Sequence, residues 1–358
     1  MSITGAWPRF YGKLRRVARS DLALASKFRY LLDEAVGCFL PAIFFPASSF
    51  PARLTGRREY RLRGGISVVL RESSTDGKVF EEIFIEKTYT PHARAFARKA
   101  PVLLIDLGAN IGLSAIALAR ELRPVAMVAV EPDQGNFAML EENLRRAKLT
   151  ARCTAVQAFA GVARGFAELV DSGNGAWGMR MGAAARTGIP VLPIEEIIGM
   201  AEGMAEAIAE ARVDATGPAA TRADATGSDA TGSDATGPPT TGTDTTGAEA
   251  MGPGLRNGAQ AARPLFTTVL KCDIEGAETH LFHQLRQWED RVHYVILELH
   301  TEFLSPRDFH ACLDASRYRW RIAGTVPADA VLAVLGLERL ELKAAAHSER
   351  ARPVLERI

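Results

Sequence analysis

Four stretches of this chain carry residues whose types and spacing could do chemistry. The first holds Asp106, Gly108, Asn110 and Gly112 in the pattern D-x-G-x-N-x-G, directly after the apolar run of residues 102–105. The two glycines permit a tight turn and a close approach of backbone to a ligand, which side chains would obstruct. Their spacing departs from the G-x-G-x-x-G that cradles a pyrophosphate. It fits better a turn holding the amino acid part of S-adenosylmethionine, with Asp106 facing the cationic amino group. The second is Glu131, in Val130-Glu131-Pro132. An acid closing the next strand can accept hydrogen bonds from both ribose hydroxyls of an adenosine. It would serve NAD equally, and an ordinary helix-start acid has the same look.

The third stretch packs Lys271, Asp273, Glu275 and Glu278 behind another apolar run. Strand alternation puts Lys271 and Asp273 on one face, where a substrate would sit. Helix capping plus a surface ion pair is the plainer reading. The fourth is Glu298 and His300, again on one face. A histidine titrates near neutrality, at about 6.5, so His300 is the expected base for a substrate hydroxyl, with Asp273 the other catalytic candidate. Lys271, Glu275, Glu278 and Glu298 are expected on the substrate side. Asp273, Glu298 and His300 could instead bind a divalent ion. No short ligand motif supports that, and no metal is expected.

These residues need a sheet to bring them together. Apolar runs at 102–106, 125–130, 151–158, 267–273 and 292–299 alternate with helical patterns at 112–122, 133–147, 194–211, 276–288 and 305–315. That alternation predicts an α/β fold with a mostly parallel sheet, helices on both faces, and an antiparallel closing pair at 318–322 and 330–335. Short strands are expected at 166–170 and 189–192. A small antiparallel lead-in is expected over 57–99, with strands at 60–63, 66–70 and 82–85, turns at Gly64-Gly65 and Asp76-Gly77, and a helix at 89–99. Residues 1–56 read as a helical, basic N-terminal arm and 57–358 as the catalytic domain. A repeat, DATGSDATGSDATG, interrupts that domain within residues 211–262. With so little to bury, it is expected to be a disordered insertion rather than a boundary. Deleting residues 215–255 should therefore leave thermal unfolding cooperative, as checked by calorimetry.

The 358 residues carry a formal net charge of +1, which argues against bulk capture of nucleic acid. Cys38, Cys153, Cys272 and Cys312 are scattered without a C-x-x-C pair, as expected of buried, reduced thiols in a cytoplasmic protein. No run is long and apolar enough to span a membrane. Arg9, Lys13, Arg15, Arg16 and Arg19 precede the short apolar stretch 36–46. This allows weak peripheral membrane contact, although a solvated helix packing on the main domain fits as well.

With these blocks in view, the chain resembles the FkbM family of S-adenosylmethionine-dependent methyltransferases. The residues carrying the resemblance are IDLGANIG (105–112), VEP (130–132), LKCDIEGAE (270–278) and LELH (297–300), spread over about residues 79–335. It implies a class I, Rossmann-like methyltransferase fold and methyl transfer, generally to oxygen, on a sugar, polysaccharide precursor or secondary metabolite. By that resemblance Asp106, Gly108, Asn110, Gly112 and Glu131 line the cofactor site, and the partner is a small-molecule or glycan acceptor. The insertion and Cys272, where an aliphatic residue is usual, depart from the family pattern. The competing readings are an NAD-binding oxidoreductase and a non-catalytic, membrane-associated binding protein. A nucleic-acid methyltransferase is disfavoured by the lack of a motif for holding an extruded base.

Overall fold

The computed structural model describes residues 12–39, 56–72, 74–96, 100–171, 179–215, 266–327 and 332–343. From residue 216 onward the expected insertion lies outside these residues, as does the apolar stretch beyond residue 39. Residues 12–19 (α1) and Leu24–Phe39 (α2) are helical and lead into a hairpin of β1 (Arg57–Arg61) and β2 (Ser67–Arg71). Gly64 and Gly65 turn this hairpin at φ +89° and +79°, as their place in the sequence suggested. One side of α2 leaves Leu24, Phe28 and Leu32 exposed.

The strand expected at 82–85 is instead helical. Asp76–Phe80 (α3) runs into a π-helix over Glu81–Glu86. Phe80, Ile83 and Phe84 are all buried at helical spacing, and the rings of Phe80 and Phe84 lie 5.5 Å apart. A contiguous apolar run cannot distinguish strand from helix by itself, and here packing of the Phe80 ring decides. Asp76 is not a turn residue either. Its buried carboxylate accepts from the Arg71 backbone N–H (2.8 Å) and guanidinium, closing the hairpin onto α3. The next helix, α4, covers Thr90–Ala95, shorter than expected.

The main sheet is built from β3 (Val102–Leu107), β4 (Ala126–Val130), β5 (Cys153–Val156), β10 (Thr267–Cys272), β11 (Tyr294–His300), β12 (Tyr318–Pro327) and β13 (Leu332–Leu342). Its order is β12-β13-β11-β10-β3-β4-β5. The five strands from β11 to β5 are parallel, and β13 and β12 close the edge antiparallel. Every residue of β3, β4 and β10 is buried, as uninterrupted apolar strands with helices on both faces must be. The helices are α5 (Leu113–Leu122), α6 (Gln134–Arg146), α7 (Ile194–Ala215), α8 (Glu278–His283), α9 (Leu285–Trp288) and α10 (Pro306–Ala315).

Two ends follow directly from local chemistry. Asp133 caps α6 by accepting from the Asn136 N–H, and Ser305 caps α10 by accepting from the Asp308 N–H. The helix expected at 276–288 is broken into α8 and α9 at Gln284.

A second sheet, order β6-β9-β7-β8, consists of β6 (Phe159–Gly161), β7 (Gly165–Asp171), β8 (Met179–Ala185) and β9 (Ile189–Pro193). Only β7 and β9 were legible in advance. The run 151–158 ends its main-sheet strand at Val156, after which β6 leaves to pair with β9.

The strand order reverses between β3 and β10. After β3 the strands step outward through β4 to β5, and β10 returns on the other side of β3. The carboxyl ends on either side of such a switch point splay apart, leaving a crevice. The end of β3 is the glycine turn and the end of β10 is Asp273.

Candidate active site

At that switch point, where ligands of open α/β sheets bind, lies a cleft open to solvent. Gly108, Asn110, Glu131, Asn136, Asp273 and Glu275 supply its polar wall, and Ala158, Phe159 and Met181 its apolar one. The apolar wall comes largely from the second sheet and its approach, and no signal in the sequence marked it.

The glycine turn is built as expected. Gly108 and Ala109 both donate backbone N–H groups to Val130 O, at 3.0 and 2.9 Å, tying the end of β3 to the end of β4. Gly108 has φ +71°, and a Cβ there would sit 1.7 Å from Asp273 O. Gly112 at φ +84° starts α5 against Leu140, away from the cleft lining. Asn110 also takes a left-handed φ of +49°, its side-chain oxygen accepting from the Ile111 N–H. Asn143 on α6, not singled out before, braces this turn by donating to Ile111 O and Val69 O and accepting from Val69 N.

Glu131 lies on the cleft wall. Its carboxylate accepts from the backbone N–H groups of Asn110 (2.8 Å) and Asp133 (3.0 Å). Burial pushes its pKa up to about 7, against those hydrogen bonds, which favour the charged form.

Asp106 and Lys271 do not face the cleft as expected. Asp106 is fully buried behind the turn, where Oδ2 accepts from Ser114 Oγ at 2.6 Å. Its Oδ1 lies 3.3 Å from Lys271 Nζ, close enough for charge pairing though outside hydrogen-bond geometry. Lys271 is itself 1% exposed and donates to Gly108 O (2.8 Å), Leu107 O and Asp273 Oδ2 (3.1 Å). Burial alone would lower its pKa, but the charges of Asp106 and Asp273 raise it. The pair is therefore a clamp under the turn, because the alternation that aligns Lys271 with Asp273 also runs its long side chain beneath Gly108.

The acids after β10 and β11 converge. His300 Nδ1 lies 2.9 Å from Glu278 Oε1, and Nε2 lies 3.6 Å from Glu275 Oε2. Glu278 is fully buried and also accepts from the Gly276 N–H at 2.7 Å, so it orients His300 and caps the turn rather than facing a substrate. Burial lowers the His300 pKa, but the Glu278 hydrogen bond and the charges of Asp273, Glu278 and Glu275 overcome this and raise it to about 9. The neutral imidazole expected of a base is thus an imidazolium near pH 7. Glu275 is pushed to about 7 by burial and by Asp273. Glu298 is buried, with its pKa held well above the carboxylate range by burial and by Asp273 and Glu82. It accepts from Tyr89 OH at 2.6 Å. Tyr89 also reaches Asp273 Oδ2 at 3.3 Å and, like Glu82, was missed because it precedes the motifs by a long stretch of chain.

The thiols of Cys153, Cys272 and Cys312 are free and buried. Among the described residues no helix is long and apolar enough to cross a membrane.

The fold is the class I, Rossmann-like methyltransferase sheet: parallel strands with the switch point between β3 and β10, ending in the antiparallel β13. No family model matches the chain, and neither does any curated protein. Among solved structures it is similar to a methyltransferase FkbM from Methylobacillus flagellatus KT, at 17% identity and TM-score 0.37, over 68% of this chain and 45% of that one. This chain thus spans under half the length of that protein. It is also similar to TYW2 from M. jannaschii in complex with AdoMet, at 10% identity and TM-score 0.32, over 81% and 90% of the two chains. A protein of the NADB-Rossmann superfamily from Streptococcus agalactiae is similar at 9% identity and TM-score 0.33, over 72% and 70%.

Proposed function

We propose that this protein is an S-adenosylmethionine-dependent methyltransferase acting on a hydroxyl oxygen of a small-molecule or glycan acceptor. One observation carries the choice of cofactor: the ionisable residues lining the cleft, Glu131, Asp273 and Glu275, are all acidic. Unit charges about 4 Å apart interact by about 4 kcal/mol at an effective dielectric of 20, so above pH 7, where Glu131 and Glu275 ionise, such a wall repels the pyrophosphate of NAD and attracts a cation. The donor's sulfonium and ammonium groups are cations. Gly108 and Asn110 would hold its amino acid part and Glu131 its ribose, with Asp106 acting through Lys271 and Ser114 to keep the turn in shape. Bound there, the donor supplies an activated methyl group, so the protein's chief tasks are to orient and desolvate the acceptor oxygen. Asp273 and Glu275 form the acceptor-side wall, with His300 beside Glu275, next to the acceptor's hydroxyl.

Calorimetry tests this reading. Heat of association is expected with S-adenosylmethionine and S-adenosylhomocysteine and not with NAD; no heat with either sulfur compound would overturn it. Glu131→Ala should weaken binding about 10- to 100-fold, the loss of charge-assisted hydrogen bonds worth roughly 1.5–3 kcal/mol. With its pKa near 7, Glu131 accepts best above neutrality. Wild-type affinity should fall as the pH drops from 8 to 6, while Glu131→Gln shows a flatter profile. Turnover of labelled donor in a metabolite extract would identify the acceptor. Weak peripheral contact with an anionic membrane belongs to the same proposal, supported by the exposed Leu24, Phe28 and Leu32 of α2 and the exposed Arg15 and Arg19 of α1.

A further inference from the structure

The acceptor side of the cleft contains a mixed set of metal-ligating atoms. Asp273, Glu275 and His300 each present one ligand atom, and these three atoms lie within 4.8 Å of one another. Ligands at about 2.0–2.4 Å from one ion are separated by no more than roughly twice that distance, so the three fit one coordination sphere with little movement.

Two further features set this group apart from a chance acidic cluster. The first is its histidine. Nδ1 of His300 is held by the carboxylate of Glu278, which is 0% exposed, leaving Nε2 turned toward Glu275. A ligating imidazole typically has its other nitrogen fixed by just such a carboxylate, which sets the tautomer and the ring plane. The second is backbone. Glu275 adopts φ +49° in the left-handed region, and Gly276 follows at φ +96°. Left-handed backbone at a non-glycine residue is strained and gathers at ligand clamps. Here it brings Glu275 round to face His300 instead of continuing away from β10.

We propose that Asp273, Glu275 and His300 form a binding site for one divalent cation, of the manganese or magnesium type, that also takes the acceptor's hydroxyl oxygen. The two carboxylates suit such ions, the imidazole favours manganese over magnesium, and water or the acceptor would complete the shell. The catalytic part rests on the methyltransferase reading. A bound ion would stabilise the alkoxide as the hydroxyl proton leaves to solvent; the oxygen's electron pair would then form the new C–O bond, with the C–S pair staying on sulfur. Lys271 keeps Asp273 in place from below, and Glu278 is a positioning residue acting through His300.

The test uses the full chain and Mn²⁺ alone. Calorimetric titration should show one saturable site, and pulsed electron paramagnetic resonance should show coupling to one imidazole nitrogen. Asp273→Asn and His300→Gln should each weaken Mn²⁺ binding at least 10-fold, and His300→Gln should erase the nitrogen coupling. Glu278→Gln should weaken binding about 10- to 100-fold, the usual effect of losing an orienting partner. Thermal melts check that each variant folds, and the wild-type nitrogen signal stands even if one does not. No saturable Mn²⁺ binding, or binding with no nitrogen coupling, would overturn the proposal. S-adenosylhomocysteine titrated into the same samples separates the two readings. Its binding without Mn²⁺ binding removes the metal site alone, and Mn²⁺ binding without it removes the donor cleft alone.

Discussion

Gly108→Ala is expected to abolish donor binding and to destabilise the protein by about 2–5 kcal/mol, the sum of left-handed strain and forced overpacking. The residue sits at φ +71°, and the added Cβ would fall 1.7 Å from the Asp273 carbonyl oxygen and 2.9 Å from its carbon. Those are backbone atoms, held by the Asp273 N–H donating to Leu107 O at 3.2 Å. Relief therefore requires the carboxyl ends of β3 and β10 to part, which opens the cleft and displaces Lys271 from Gly108 O. Gly65→Ala is the control. It shares the positive φ, at +79°, but has nothing within 4 Å of the added carbon. Its loss should be limited to the strain of about 1–2 kcal/mol. Equal melting shifts for the two variants would show that contact at the switch point matters less than argued.

The second large effect is expected from Lys271→Met. The methionine fills similar space but removes the ammonium next to Asp106, which is 0% exposed. Breaking a buried pair by deleting one member costs about 3–5 kcal/mol, because the other charge stays uncompensated. In a domain of this size that corresponds to a melting shift of roughly 6–20 °C. The sign of the pH dependence follows from Asp106. Burial already raises its pKa, and Lys271 is the largest influence opposing that rise. Without the lysine the folded-state value climbs further above the unfolded one. Stability of the variant should then be greatest at acid pH and be lost as the pH rises through that raised value. Adding Asp106→Asn should recover part of the deficit, since an amide carries no charge to strand. Melts of the three proteins between pH 5 and 8 check this; an additive double variant would show that the pair is not coupled.

The elements read most clearly from sequence were those with one dominant local cause. The apolar run at 102–106 could only be a strand buried on both faces, and it is the third strand in from one edge of the sheet. The run at 267–273 demanded the same, and β10 does pair with β3 although a long repeat separates them in sequence. Asp133 announced its helix because a cap acts over three residues. Where several solutions shared one pattern, sequence reasoning failed. The run at 82–85 packs as a π-helix, chosen by the Phe80 and Phe84 rings. Met179–Ala185 has no alternation to announce β8, whose place in the second sheet depends on its partner β7.

The same division runs through the site. Residue types and spacing by themselves determined that an acidic, glycine-turned crevice would open between two parallel strands, since backbone conformation and strand alternation act over a few residues. Which of the charged residues face the crevice was decided only in three dimensions. Asp106, Lys271 and Glu278 went underneath, as a clamp and an orienting support, while Glu131, Asp273 and Glu275 stayed on the wall. The physical reason is desolvation. A buried charge is tolerated only where an opposite charge or a hydrogen-bond donor meets it, and those partners come from strands and turns far apart in the chain.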